Sequence, residues 1–348
     1  MKRRDFIKKS IPLSTIPLYV SGIPISVMGE SPTLAALTNA GSISDRCLVL
    51  VFLGGGNDGI NTLIPIDQYD ILMRDGSGGD SKPLRRPDLM IPENKILKMD
   101  GLSDTGLHSS MEKFQTLFNE DKLGFVRNVG YPNPNKSHFR STDIWNTGSY
   151  SHEFKDSGWF GRYLSNDHPS YPEGYPNNDF PDPLALTIGN NSSSTCQGPI
   201  INMGMSIKGI NSFPEIKEGE GVVPETPYGH ELEYIRTASR ITNDYFDRLE
   251  EAATYGGSSK IEYPDSKLAK HLKMVAQLIA GGLKSKIFIV KTGGFDTHAK
   301  QVDAGSPETG QHPNLMENLT ESIYAFQQDI INRNLEERVL TMTYSEFG

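Results

Sequence analysis

The chain has 348 residues, enough for one large domain or two of ordinary size. Hydrophobic residues make up 36%, charged residues 22%, and the formal net charge is −9, which describes a globular chain without the basic face of a general nucleic-acid binder. The same balance argues against a broadly basic membrane-binding surface, and two cysteines, Cys47 and Cys196, are too few for a disulfide framework.

The two cysteines read as buried thiols or, in an oxidising compartment, as one disulfide. The chain opens with "MKRRDFIKKS", in which Arg3 and Arg4 precede Phe6 and Ile7, followed by a moderately apolar stretch from Ile11 to Met28. A basic start and a short apolar segment make a secretory signal. The arginine pair resembles a twin-arginine export signal, which implies a translocase as partner during export and a periplasmic or cell-surface destination. Pro12, Pro17 and Pro24 interrupt the segment too often for a membrane span of about 20 apolar residues. No later segment suits a span, so no transmembrane anchor is expected. The alternative is a disordered basic tail. Residues 1–43 are assigned to signal and linker, and 44–348 to one elaborated domain.

"RCLVLVFL", Arg46 to Leu53, is a continuous apolar run that reads as a strand buried on both faces. Further strands are expected at Lys122–Gly130, Leu184–Asn190, Lys286–Gly294 and Arg338–Gly348. Helical spacing of apolar residues appears over Ser109–Glu120, Tyr228–Ala253, Ser266–Ala280 and Leu315–Ile331, with Asp265 as a cap for the third. Ser165–Asp182 and Asn211–Pro227 read as long surface excursions. Strands alternating with helices predict an α/β fold with a largely parallel sheet. Gly348 directly follows a strand, so the domain is expected to be incomplete at its C-terminal end.

After the first strand comes "GGGNDGINTLIP", in which Gly54, Gly56 and Gly59 spell the dinucleotide-binding pattern. That reading needs a helix after the third glycine, and Pro65 stops it within two turns. A metal reading fits better. In parallel sheets functional groups gather at the carboxyl ends of strands, where Asp58, Asp296, His298 and Glu346 stand, with His312 fourteen residues after His298. Carboxylates with imidazoles suit zinc or manganese, and carboxylates alone suit magnesium or calcium. Taken singly, each also has an ordinary explanation, as a turn aspartate or a surface histidine.

"GYPNPNKSHFRSTDIWNTG", Gly130 to Gly148, places Ser137 at a loop-to-helix junction, where N–H groups and the helix dipole favour an anion. Such a serine is either a metal-activated nucleophile or an ordinary helix cap. Lys136 and Arg140 flank it.

These segments, with "GWFGRYL" at Gly158–Leu164, "GGFDTHAKQ…QHPNL" and "RVLTMTYSEFG", resemble in order the domain-of-unknown-function fifteen-oh-one family of exported bacterial proteins. The resemblance covers roughly Arg46 to the last residue. That family is grouped with the alkaline phosphatase and sulfatase superfamily. It implies an alkaline phosphatase-like three-layer sandwich with divalent metals held by Asp58, Asp296, His298, His312 and Glu346, and Ser137 as nucleophile. Asn57, Asn61 and Arg140 are expected to hold the anion of a small-molecule or glycan ester. The sulfatase signature Cys/Ser-x-Pro-x-Arg is absent, because His138-Phe139-Arg140 follows Ser137. The expected activity is hydrolysis of phosphate or sulfate esters. The competing expectation is a non-catalytic envelope or polysaccharide-binding protein that keeps the fold.

Overall fold

The computed structural model describes residues 18–20, 23–25, 46–73, 86–210, 216 and 221–347. Most of the expected export signal lies outside the described residues, as does most of the excursion at 211–227. The chain divides into two units, Met1–Arg46 and Cys47–Gly348. In the first, β1 (Leu18–Val20) pairs antiparallel with β2 (Ile23–Ile25).

The second unit is built on β3 (Cys47–Gly54), the run of apolar residues that opens it. Val49, Leu50 and Val51 are wholly buried, and each such side chain contributes about 1.5–3 kcal/mol of transfer free energy. Strand periodicity sends alternate residues to opposite faces. Val49, Val51 and Leu53 enter one core; Leu50 enters another. The same partition recurs in β9 (Ile287–Gly293), where Phe288 and Val290 face the first core and Ile287 and Ile289 the second.

Strands β7 (Ala185–Ile188), β8 (Gly204–Ile207) and β10 (Val339–Ser345) complete a five-stranded sheet in the order β10-β3-β9-β7-β8, every pair parallel. A parallel sheet needs both faces covered. The first face is covered by α3 (Glu112–Asn119), α6 (Pro227–Gly256), α7 (Lys267–Ala280) and α8 (Gln311–Asn332), through residues such as Phe114, Leu249, Leu272 and Phe326. The second is covered by α5 (Trp159–Asp167), which packs Phe160 and Leu164, together with Tyr175 and Met203. The observed class is therefore α/β, with helices on both sides of a parallel sheet.

Between β3 and α3, the one-turn α1 (Gly59–Thr62) leads into β4 (Leu63–Pro65), and the short α2 (Tyr69–Leu72) follows. Strand β6 (Thr105–Leu107) pairs antiparallel with β4 and with β5 (Leu97–Lys98) over a small core of Ile64, Met90 and Ile91. This subsheet and β8 have no counterpart in the sequence reading.

Three local expectations need correction. Lys122–Gly130 is not a strand: Leu123 and Phe125 pack on the core, but Val126 is exposed and Asn128 adopts a left-handed φ of 59° that ends the extension. The cap of α7 is Ser266, whose hydroxyl accepts from Ala269 N at 3.1 Å, while Asp265 forms an exposed ion pair with Lys270. The stretch 165–182 carries no regular strand, yet it is more than a surface excursion: Tyr175 is buried, with His168 edge-on to Phe180 beside it. Cys47 and Cys196 are free and buried, and burial pushes their thiols up to about 11 and about 12. Among the described residues no helix is long and apolar enough to cross a membrane.

Candidate functional site

Strands β10, β3 and β9 are neighbours, so the loops at their carboxyl ends meet. Gly55 and Gly56, after β3, have φ of 119° and 79°, conformations that side chains disfavour. Space forbids a side chain as well. A Cβ on Gly55 would lie 2.4 Å from the Asp296 amide nitrogen, and one on Gly56 would lie 2.4 Å from the Phe347 ring. The freed amides tie the ends together. Gly55 N–H donates to Glu346 Oε1 at 2.8 Å and Asn57 N–H to Ser345 Oγ at 2.9 Å.

Asp58 caps α1, accepting from Asn61 N at 3.2 Å. The helix is a single turn, too short to seat a pyrophosphate as the dinucleotide pattern requires. Both carboxylate oxygens of Asp58 are engaged by the Arg86 guanidinium, with one bond at 2.8 Å, and Gln301 donates to Oδ2. Burial raises the Asp58 carboxyl, but the hydrogen bonds and charge of Arg86, with Gln301, more than offset it and hold the group below its usual range. A guanidinium thus already supplies the cation at this carboxylate.

His312 stands beside this group at the start of α8. It is fully buried and donates from Nε2 to Asn57 Oδ1 at 3.1 Å, while its Nδ1 has no partner among the described residues. His108 lies edge-on to it, ring centroids 6.5 Å apart. Burial, reinforced by His108 and Arg86 and opposed by Asp58, pushes the His312 imidazole down to about 4. Asn57 also donates to Thr62 Oγ1, and Asn61 is buried and donates to Leu89 O. The Asn57 amide is committed to shaping this loop, whereas Asn61 Oδ1 is buried without a partner among the described residues.

A second group lies where the ends of β9 and β10 meet the N-terminus of α4 (His138–Thr147). Asp296, half exposed, has Oδ1 2.8 Å from His298 Nε2 and Oδ2 3.7 Å from His138 Nε2. His138 Nδ1 lies 2.9 Å from Oε1 of the buried Glu346. Burial raises the Glu346 carboxyl; the hydrogen bond from His138 and the backbone N–H groups of Gly55 and Gly56 outweigh it, so the carboxylate persists below its usual range. Ser141, one turn into α4, donates to Glu346 O and pins the helix to the strand end.

Ser137 occupies the cap position of α4 in extended backbone, and its exposed side chain makes no capping bond. Its hydroxyl is thus uncommitted among the described residues, at a helix N-terminus. Arg140 is not: it donates to Asp143 and to the carbonyls of Glu153 and Ser151, and lies over the Phe154 ring at 4.0 Å.

Of the residues expected from sequence, the structure brings Asp296 and Glu346 to the two nitrogens of His138, next in the chain to Ser137, with His298 on the other oxygen of Asp296. It gathers Asp58, His312, Asn57 and Asn61 into a separate network, in which Asp58 is saturated but Asn61 Oδ1, His312 Nδ1 and the neighbouring His108 Nε2 are buried without a partner among the described residues. Among the described residues, no group of three or more His, Cys, Asp or Glu side chains stands ready to hold a metal ion as placed. The donor types at Asp296, a carboxylate between two imidazoles, are those that bind divalent ions elsewhere, but here each imidazole meets a different oxygen, at 2.8 and 3.7 Å. Sequence reasoning missed Arg86, Gln301, His108 and His138. His138 had a signal, its place next to Ser137 at a helix start; Arg86 sits unmarked in the basic run "LRRPD".

No family model, no curated protein and no solved structure matches this chain.

Proposed function

We propose that the protein is an exported, metal-dependent hydrolase of phosphate or sulfate esters, built on an alkaline phosphatase-like fold. The observation that carries the reading is the uncommitted Ser137 hydroxyl at the N-terminus of α4, next to a carboxylate and imidazole cluster drawn from two strand ends. The α4 amides and dipole favour the anionic group of the substrate at that end. Ser137 Oγ, losing its proton, attacks the phosphorus or sulfur, the ester oxygen leaves on the opposite side and takes up a proton as the alcohol, and water then hydrolyses the seryl ester to release the acid and restore the serine. Asp296 and His298 would hold the ion, which when bound lowers the serine pKa and neutralises charge on the transferred group. Asp58 contributes by ordering the loop, since Arg86 already balances its charge.

The test uses the full chain, stripped with chelator and given zinc, manganese, magnesium or calcium. Turnover of p-nitrophenyl phosphate or sulfate that requires metal and disappears in Ser137→Ala supports the reading. Absence of turnover with every ion and both esters overturns it.

A second reading, a non-catalytic glycan-binding protein of the envelope, is favoured by the exposed rings of Phe139, two residues after Ser137, and Phe154, which stacks on Arg140. It predicts polysaccharide binding that survives Ser137→Ala and is lost in Phe139→Ala with Phe154→Ala.

A further inference from the structure

We propose that Tyr131 and Asn135 are positioning residues for Ser137: they fix the turn that keeps its hydroxyl off the cap of α4 and open to chemistry. The inference rests on the reading of Ser137 as the nucleophile, and its geometry does not depend on an ion.

The stretch from Tyr131 to Asn135 reads Tyr-Pro-Asn-Pro-Asn. Each proline holds φ near about −65° and leaves few conformations to its neighbours. Asn133, between the two, takes a left-handed φ of 54°, which asparagine adopts more readily than most residues. A loop restricted in this way has little freedom to lose on ordering.

A run of hydrogen bonds then carries order from the end of β10 to the serine. Glu346 O is a carbonyl and can only accept, so the buried Ser141 hydroxyl donates its one hydrogen there. Ser141 Oγ must therefore accept from the Tyr131 phenol, 2.8 Å away. Tyr131 Oη also lies 3.4 Å from Asn135 O, too far to compete for the same proton. With its proton spent on Ser141, Oη accepts from Asn135 N–H at 3.0 Å. The Asn135 side chain makes the last link: Ser137 N–H donates to its Oδ1 at 2.8 Å. Every donor in the run is assigned, and the direction is the same throughout.

A serine at the start of a helix ordinarily turns its hydroxyl back onto an amide of the first turn. Ser137 makes no such bond, and its backbone is tied instead to Asn135. The loop is held from its other side as well. Ser151 Oγ donates to Pro132 O at 3.2 Å, and Arg140 donates to the carbonyls of Ser151 and Glu153. Arg140, expected from sequence to hold the anion, thus belongs to the same scaffold. A reacting oxygen displaced by about 1 Å can cost about a hundredfold in rate, so such a scaffold bears directly on turnover.

The test reads the position of the side chain without any substrate. Ser137→Cys is made in the full chain and alkylated with iodoacetamide as a function of pH. Cys47 and Cys196 are buried and stay silent. A thiol held at a helix N-terminus ionises below the ordinary midpoint of about 8.5 and reacts in neutral solution. Adding Asn135→Ala or Tyr131→Phe is expected to raise that midpoint and to slow alkylation at neutral pH about threefold or more, as the thiolate fraction falls. Thermal melting confirms that each variant is folded. In the chain that keeps Ser137, the same two changes should lower kcat for p-nitrophenyl phosphate or sulfate by up to about a hundredfold and leave KM within about twofold. An alkylation profile unmoved by either change in folded protein overturns the proposal and makes the two residues builders of the loop alone. So does a Ser137→Cys thiol that already titrates as a free cysteine, or wild-type kcat in both variants. A shifted profile in a protein without turnover upholds the positioning and removes the hydrolase reading.

Discussion

Asp58 and Asp296 follow neighbouring parallel strands and look alike in sequence, yet their surroundings differ. Asp58 is 15% exposed and gripped by a guanidinium and an amide. Asp296 is 48% exposed and meets two imidazoles. An arginine never releases its charge, whereas an imidazole can give up its proton and become a ligand. Of two carboxylates at the mouth of one sheet, the first is therefore a brace, and the second is the one to which the proposed function assigns an ion.

That contrast can be broken at either end. The largest expected effect is on activity. Asp296→Asn and Ser137→Ala should each lower ester turnover at least about a thousandfold. Ser137→Ala should leave the thermal midpoint unmoved, since no capping bond is lost. Next comes Arg86→Ala, which strands a largely buried carboxylate and should cost about 3 kcal/mol in a urea titration. A loss below about 1 kcal/mol would show that Asp58 is not braced.

Acid should act on the braced group as well. The folded His312 imidazole sits at about 4, below the usual 6.5, so the unfolded chain binds the proton first. Stability is whole above about pH 6.5 and falls as pH drops toward 4, by about 3 kcal/mol in the limit. His108, also lowered by burial, adds in the same window. His312→Asn should flatten the dependence of the urea midpoint between pH 7 and pH 4.5; an unchanged slope would falsify the assignment. Asp58 and Glu346, both depressed, add a further loss only below about pH 4, the unfolded carboxylate range. Smallest of all, Asp296→Asn should move folding stability by less than about 0.5 kcal/mol, because an exposed pair contributes little.

The parts of the fold legible in the sequence were those written as long apolar runs. Strands β3 and β9 are buried on both faces, so burial alone marks them. Strand β8, "GMSI", is half-buried and starts with glycine, and β4 to β6 are two or three residues long, so neither group carries a period. Lys122–Gly130 shows the opposite failure. Its apolar residues do reach the core, but a hydrophobic pattern reports contact with a core and not a hydrogen-bonded neighbour. In the site, strand-end acids were visible because chain position marks them. Arg86 and Gln301 were not, because their roles depend on which loops meet, and His138 was marked only by its place next to Ser137. Only the order β10-β3-β9 brings those loops together.

The glycine loop has one more consequence, for time instead of space. The bond from Gly55 to Glu346 joins residues 291 positions apart, and that from Asn57 to Ser345 joins residues 288 apart. Contacts of such separation form slowly, since their loop-closure entropy precedes any reward. The cluster around His138 therefore has no existence in a partly folded chain, however complete the rest of the sheet is. In refolding, recovery of the site should trail the far-ultraviolet signal of the helices and report the docking of the last strand.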